Sequence, residues 1–385
     1  MLFARPRPKK VIAVFDISSS SVAGGHVLLE RDVHTKHQSL FLASTRVDAA
    51  LSGEPDIARL VEHTAKNLEQ VVARLHKADV HHPDYIQVVL ASPWYLSQTR
   101  TMVYTKTVPF ICTQKLVDGL IDKELAHAVT TDTGFGSEGS VVEKQLSSIK
   151  LNGYTTENPY GKSATSLELS ITITTVPTMV MDRILTPLKR AYGDRTLGVT
   201  TAPFAAYIVS RDHIHPDDEC IVIDVGEEIT DVAFVKDGLF LYQHSFPVGM
   251  YALYRALDAA SILEARTLFE GYRLNKLGGL GAQKATEALG VFQETWQKAL
   301  QQVLDTGRYG FCLPERCYIS ADPRFESLLV NVITHDPFIQ HACSRGVVQP
   351  IFLTEAVLDS HIRAIDDVSV DIPLSIATLF AKRLI

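Results

Sequence analysis

The sequence predicts a two-lobed α/β protein, and three observations carry that expectation. A strand of apolar, mostly β-branched residues that ends in an aspartate and turns back through small polar residues occurs twice, at residues 11–22 and 220–232, about 200 residues apart. Around these units strand-like and helix-like hydrophobic periods alternate, the pattern of sheets covered by helices. The chain can also build a core: 46% of its 385 residues are hydrophobic, 21% are charged, and there is no low-complexity block.

Residues 11–17 read as an apolar strand carrying Asp16 near its end, the serines 18–21 as a turn, residues 22–29 as the returning strand and residues 40–47 as a third. Ile57, Leu60, Val61, Leu68, Val71, Val72 and Leu75 recur at helical spacing and predict one long helix over residues 56–79, with Pro55 and Asp56 as its start signal. From Pro83 the pattern changes to a strand at 85–91, an alternating strand around 100–108, a helix near 113–129 and a strand pair around 141–154, together a compact α+β insert. Beyond the turn Asn158, Pro159, Tyr160 and Gly161, the alternation of Leu167, Leu169, Ile171 and Ile173 with polar neighbours marks a half-buried strand. A helix at 178–192, a short strand at 197–201 and a helix at 203–211 follow.

Residues 220–225, 229–235 and 239–246 then repeat the opening unit, with Asp224 in the place of Asp16. The remainder reads as helices near 250–257, 261–273 and 282–304, a strand at 317–320, a helix near 325–334 and a last helix at 373–384, with Gly278, Gly279 and Gly281 as a linker. The expected division is residues 1–82 for the first part of lobe 1, 83–160 for the insert, 161–212 for lobe 1 continued, 213–352 for lobe 2 and 353–385 for a return to lobe 1.

A formal net charge of -7 argues against a surface that coats nucleic acid. Cys112, Cys220, Cys312, Cys317 and Cys343 form no CxxC pair and no dense framework, which points to a reducing compartment. Arg5, Arg7, Lys9 and Lys10 precede an apolar run that Asp16 stops, too short for a secretory leader. No apolar run reaches the roughly 18 residues that a bilayer span needs. The expectation is a cytoplasmic protein whose membrane contact is peripheral and supplied by a partner.

Two hairpins facing each other across a cleft present backbone N–H groups from their turns, which can cradle phosphate. A pair of aspartates at their ends can hold hydrated Mg2+. Residues 11–22, with Asp16, Ser18, Ser19 and Ser20, resemble the first phosphate motif of the actin-like ATPase superfamily, and residues 221–232, with Asp224, Gly226 and Thr230, resemble the second. Within it the chain looks most like the bacterial FtsA/PilM group, where an SHS2 (1C) subdomain is inserted after the first lobe's opening unit, as residues 83–160 are here. Residues 149–154 and 158–161 are similar to FtsA at the exit from that subdomain, and the resemblance runs in order over nearly the whole chain.

The resemblance implies an actin-like (ribonuclease H-like) fold and an ATP site formed by Asp16, Ser18, Ser19, Ser20, Asp224, Gly226 and Thr230, with Mg2+ between Asp16 and Asp224. It further implies a scaffold role in bacterial cell division, with an FtsZ-like polymer or the cytoplasmic tail of a membrane protein as partner, and self-association into filaments. The alternative within the group is a PilM-like component of type IV pilus assembly. The alternative from another class is a small-molecule kinase of the same superfamily.

All three nucleotide motifs depart from the family pattern. Ser18 stands where the family has glycine, Glu227 and Glu228 stand where it has a glycine pair, and Ala321 and Asp322 replace the glycine pair of the adenosine motif. Two like charges about 5 Å apart repel by roughly 3 kcal/mol at an effective dielectric near 20, so each carboxylate beside a triphosphate is costly. Glycine is also lost where backbone must approach ligand. The expectation is therefore a degenerate site without catalysis. His34 and His37, His81 and His82, and His213 and His215 show no metal-ligand spacing, and Cys312 and Cys317 lack a second pair, so these are read as solvated histidines and isolated thiols.

Overall fold

The apolar strands assemble into three sheets in the computed structural model, which describes residues 10–29, 39–48, 57–78, 82–130, 138–307, 312–343, 346–358 and 360–384. Arg5, Arg7, Lys9, His34, His37, His81 and the helix-start pair Pro55 and Asp56 lie outside the described residues.

Strand β1 (Lys10–Ile17) is buried from Val11 onward because it runs through the middle of a sheet covered on both faces. It pairs antiparallel with β2 (Ser21–Leu29), which pairs antiparallel with β3 (Ser39–Asp48). Helix α1 (Ile57–Lys77) lays Leu60, Leu68, Val71 and Leu75 on this meander. Its close approach depends on Gly24 in β2, where a Cβ would stand 2.7 Å from Val71 and 2.9 Å from Phe15. Strand β4 (Tyr85–Leu90) then joins the far side of β1 in parallel.

The insert is a four-stranded sheet in the order β5-β8-β6-β7, built from β5 (Leu96–Ile111), β6 (Gly139–Leu151), β7 (Tyr154–Thr155) and β8 (Ser163–Pro177), with α2 (Gln114–Thr130) packed on it. Its sheet therefore spans residues 96–177, where the sequence suggested 83–160. The first limit moves because β4 is buried on both faces and lies inside the lobe sheet, parallel to its neighbours there; the second because the half-buried β8 lies between β5 and β6. Helix α3 (Thr178–Tyr192), β9 (Thr196–Thr201, parallel to β4) and α4 (Ala202–His213) complete this part of lobe 1.

Lobe 2 repeats the meander with β10 (Cys220–Val225), β11 (Thr230–Lys236) and β12 (Leu239–Phe246). Helices α5 (Met250–Ala256), α6 (Ile262–Arg273) and α7 (Gly279–Gly307) lead to β13 (Arg316–Ser320), α8 (Glu326–His335), α9 (Pro337–Ala342) and β14 (Gln349–Phe352). The sheet order is β12-β11-β10-β13-β14. Gly279 and Gly281 belong to α7 and not to a linker, since Ala285, Ala288, Phe292, Trp296 and Leu300 carry one continuous helical stripe into the lobe 2 core. After α10 (Glu355–Leu358) the chain returns to lobe 1 as β15 (Ile362–Ala364), parallel to β3, and α11 (Ile372–Leu384). A single apolar cluster holds Ile12 and Val14 of β1, Ala205 and Val209 of α4, Val222 and Ala233 of lobe 2, and Ala377 and Phe380 of α11. The lobes thus share a core. Among the described residues no helix is long and apolar enough to cross a membrane.

Candidate functional site

The shared core brings the two Asp-bearing hairpins to the mouth of one cleft. Between them lies a cavity of about 340 Å³ lined by Asp16, Ser18, Ser21, Asp224, Gly226 and Glu227, with Arg46, Asp48 and Asp371 from lobe 1 and Arg266, Asp322 and Arg324 from lobe 2. The sequence-predicted Asp16, Ser18, Asp224 and Gly226 therefore meet, while Ser19 and Ser20 are buried in the turn behind the cavity wall.

In the first turn, the Ser18 hydroxyl accepts from the N–H of Ser21 at 3.1 Å and of Ser20 at 3.4 Å, and donates to the Ser21 carbonyl at 3.2 Å. The Trp94 indole N–H fixes the Ser18 carbonyl at 3.0 Å. A glycine would leave those amides free for an anion. Here the side-chain oxygen of the turn's own first residue takes the place an anion would occupy.

The second turn is seated on the start of α5: the N–H groups of Met250 and Tyr251 donate to the carbonyls of Gly226 and Glu227 at 2.9 and 2.7 Å. Gly249 makes the approach possible, because a Cβ there would lie 2.5 Å from the Glu227 and Gly226 carbonyl oxygens. The two glutamates diverge. Glu227 lines the cavity, whereas Glu228 is drawn onto Arg255 of α5 at 2.9 Å, so one carboxylate and not two faces the cleft from this turn.

At the expected metal position Asp16 receives a guanidinium. Arg46 donates through Nη2 to Asp16 Oδ2 at 3.0 Å, through Nη1 to Ser21 Oγ at 2.6 Å and through Nε to Asp371 Oδ2 at 2.7 Å. Burial raises the Asp16 carboxyl, Arg46 pulls it back down, Asp371 and Glu227 push it up, and the outcome is about 6. Among the described residues no cation pairs with Asp224. Burial, and then the neighbouring Asp231, Asp16 and Glu227, hold it up at about 8 against a hydrogen bond from Ser320. Asp231 is itself buried, accepting from Ser92 Oγ at 2.7 Å, from the Tyr95 hydroxyl at 3.0 Å and from Ser245.

At the far end of the cleft Ala321 lines the wall, and Asp322 caps the following turn by accepting from the Arg324 N–H at 2.9 Å while pairing with the Arg324 guanidinium. Arg266 reaches over the opening to Asp48 at 3.3 Å.

Thr230 departs from its predicted role. It is fully buried, donates to the Val248 carbonyl at 2.7 Å and accepts from the Trp296 indole N–H at 3.1 Å, so it faces the lobe 2 core. Strand alternation explains this: Thr230 and Val232 point to the core and Asp231 to the opposite face. Sequence reasoning missed Arg46, Asp371 and Arg266, whose partners are remote in the chain. Asp231, a lone carboxylate inside an apolar strand, was a visible signal. Among the described residues no group of three or more His, Cys, Asp or Glu is arranged to hold a metal.

The chain aligns over nearly its whole length with solved structures. A structure described as the PilM-PilN type IV pilus biogenesis complex aligns over 98% of this chain and 99% of that one, with a TM-score of 0.63 at 14% identity. The fold is that of the actin-like ATPases. A Bacteroides thetaiotaomicron protein of actin-like ATPase fold and unknown function aligns over 98% of both chains at TM-score 0.41 and 10% identity. The ethanolamine utilization protein EutJ from Carboxydothermus hydrogenoformans aligns over 97% of this chain and 90% of that one at TM-score 0.42 and 13% identity. No family model and no curated protein matches the sequence.

Proposed function

We propose that this chain is a nucleotide-independent scaffold of a membrane-associated bacterial machine, acting through protein contacts at the cytoplasmic face, with the division apparatus as its setting. The observation that carries the reading is the Arg46 fork on Asp16, Ser21 and Asp371. Mg2+ with ATP needs an available carboxylate and free turn amides. Asp16 is spent on a fixed cation of the chain's own, the first turn's amides on Ser18, and Glu227 adds negative charge where a phosphate would approach. The residues present do not fit that ligand, and the same mismatch weighs against a small-molecule kinase.

The inserted sheet between β4 and α3 supports the FtsA-like form of this reading. The full-length likeness to the PilM-PilN structure favours a second form, a pilus-assembly scaffold that captures the tail of a membrane protein. Titration calorimetry with Mg-ATP and Mg-ADP, paired with affinity capture from native membranes with and without ATP depletion, tests both parts. No saturable heat and an ATP-indifferent set of captured membrane-machine proteins are expected. Micromolar Mg-ATP binding, or capture that collapses on ATP depletion, overturns the reading.

A further inference from the structure

Lobe 2 ends its sheet on the insert side with β12, an edge strand whose outer backbone groups need partners. The insert supplies them through a row of side chains across three adjacent strands. The hydroxyl oxygens of Thr99 on β5, Thr172 on β8 and Ser147 on β6 stand in a row, 3.0 Å from one to the next. From that row Thr99 donates to the Leu241 carbonyl at 2.9 Å, while Thr172 and Ser147 both donate to the Phe240 carbonyl, at 2.8 and 2.9 Å. Gln145 Oε1 accepts from the Phe240 N–H at 3.1 Å. Thr172, Ser147 and Phe240 are buried, so breaking these bonds by sliding would leave polar groups away from water.

The same insert is anchored on lobe 1. Glu143 of β6 accepts from the Thr200 hydroxyl at 2.5 Å and from the Thr201 N–H at 2.6 Å, at the junction of β9 and α4. Beside it, Ser92 and Tyr95, which lead from β4 into the insert, bind Asp231 of β11, and Tyr95 also accepts from Gln243 of β12 at 2.9 Å.

We infer that the insert is an internal brace: by gripping β12 of lobe 2 while anchored on lobe 1, it holds the two lobes in one fixed relation, so that the cleft does not open and close as a hinge. Hinge motion requires contacts that can be exchanged at little cost. Here the grips of Thr172 and Ser147 on the Phe240 carbonyl are buried hydrogen bonds, and breaking them strands polar groups away from water.

The inference goes beyond the scaffold reading, since the cleft could reject nucleotide and the lobes still move. Spin labels at Lys66→Cys on α1 and Lys298→Cys on α7, both exposed, in a Cys312→Ser, Cys343→Ser background, report the lobe-to-lobe distance by pulsed electron resonance. Without nucleotide, a single narrow distribution is expected. Thr99→Val with Ser147→Ala and Thr172→Val should broaden it and add a second component, while Thr99→Val alone, at an exposed position, gives a smaller shift should the triple variant fail to fold. A broad or two-component distribution in the parent, whose brace is intact, or an unchanged narrow one in the folded variants, overturns the brace. A distribution that is narrow without nucleotide but moves on adding Mg-ATP instead overturns the nucleotide-independent reading along with the fixed relation.

Discussion

Arg46 and Asp371 meet at 2.7 Å although 325 positions separate them in the chain, and the same guanidinium holds Asp16 at 3.0 Å. β3 thereby ties the end of β1 to the start of α11, the helix that the returning chain lays into the shared core. Burial works against the charge on Arg46, but the two carboxylates hold it firmly protonated.

Replacing Arg46 by Ala should leave Asp16 and Asp371 as facing like charges. Because the pair is only partly buried, the expected loss is about 1 to 3 kcal/mol, between the surface and the buried limits. The variant should also gain what the parent lacks: millimolar Mg2+ should raise its melting temperature while leaving the parent's unchanged. A parent stabilised by Mg2+ to the same extent would remove the argument that the guanidinium stands in the metal's place.

Ser18→Gly frees the amides of Ser20 and Ser21, and Glu227→Gly removes the one carboxylate that this turn directs into the cleft. Neither change alone supplies a metal ligand. The triple variant with Arg46→Ala should bind Mg-ATP at least about tenfold tighter than the parent, corresponding to roughly 1.4 kcal/mol, as read by fluorescence of a labelled nucleotide. Glu228→Gly should add nothing, because that side chain already pairs with Arg255. Equal gains from Glu227→Gly and Glu228→Gly would contradict the divergence of the two side chains.

How much of this was legible follows from the range of the interactions. The two Asp-bearing hairpins, α1 and α3 are written in local periodicity and turn chemistry, and the structure places them where the sequence suggests. The lobe boundary at β4 was misread because a six-residue run with five buried positions looks alike at the edge of an insert and in the middle of a lobe sheet between parallel neighbours. The short β14 and β15 carry no period to detect. Within the site, Asp16 and Asp224 were found because they end repeated strands, whereas Arg46 is one arginine among many until β3 and α11 are brought together. Thr230 shows the reverse error, a motif position whose side chain the strand's alternation turns into the core.

That placement gives Thr230 a purely structural prediction. Thr230→Val keeps the shape but leaves the Trp296 indole N–H and the Val248 carbonyl without this partner in the lobe 2 core. A loss of about 1 to 3 kcal/mol in denaturant unfolding is expected, with no change in any cleft property, including Mg2+ response in the Arg46→Ala background. A selective change in the cleft with unaltered stability would return Thr230 to the site.

Asp224 makes stability depend on pH in a direction that can be worked out. Its carboxyl sits at about 8 in the folded chain against an ordinary value of 3.8, so the folded state binds the proton more tightly than the unfolded state does. Stability from this group is therefore fully present below about pH 4, falls as pH rises through the interval, and is lost above about pH 8. Asp224→Asn cannot ionise and keeps a polar group beside Ser320. Its melting temperature should match the parent's in acid and exceed it by about 2 °C or more at pH 9, giving a flatter profile between the two limits. Asp16, at about 6 with Arg46 attached, titrates lower in the same window, so a residual slope should persist in the Asn variant and be centred on the acid side. A parent whose stability instead rises from pH 5 to pH 8, with the Asn variant following it, would show that Asp224 is ionised in the folded cleft and that a cation other than Arg46 is compensating it.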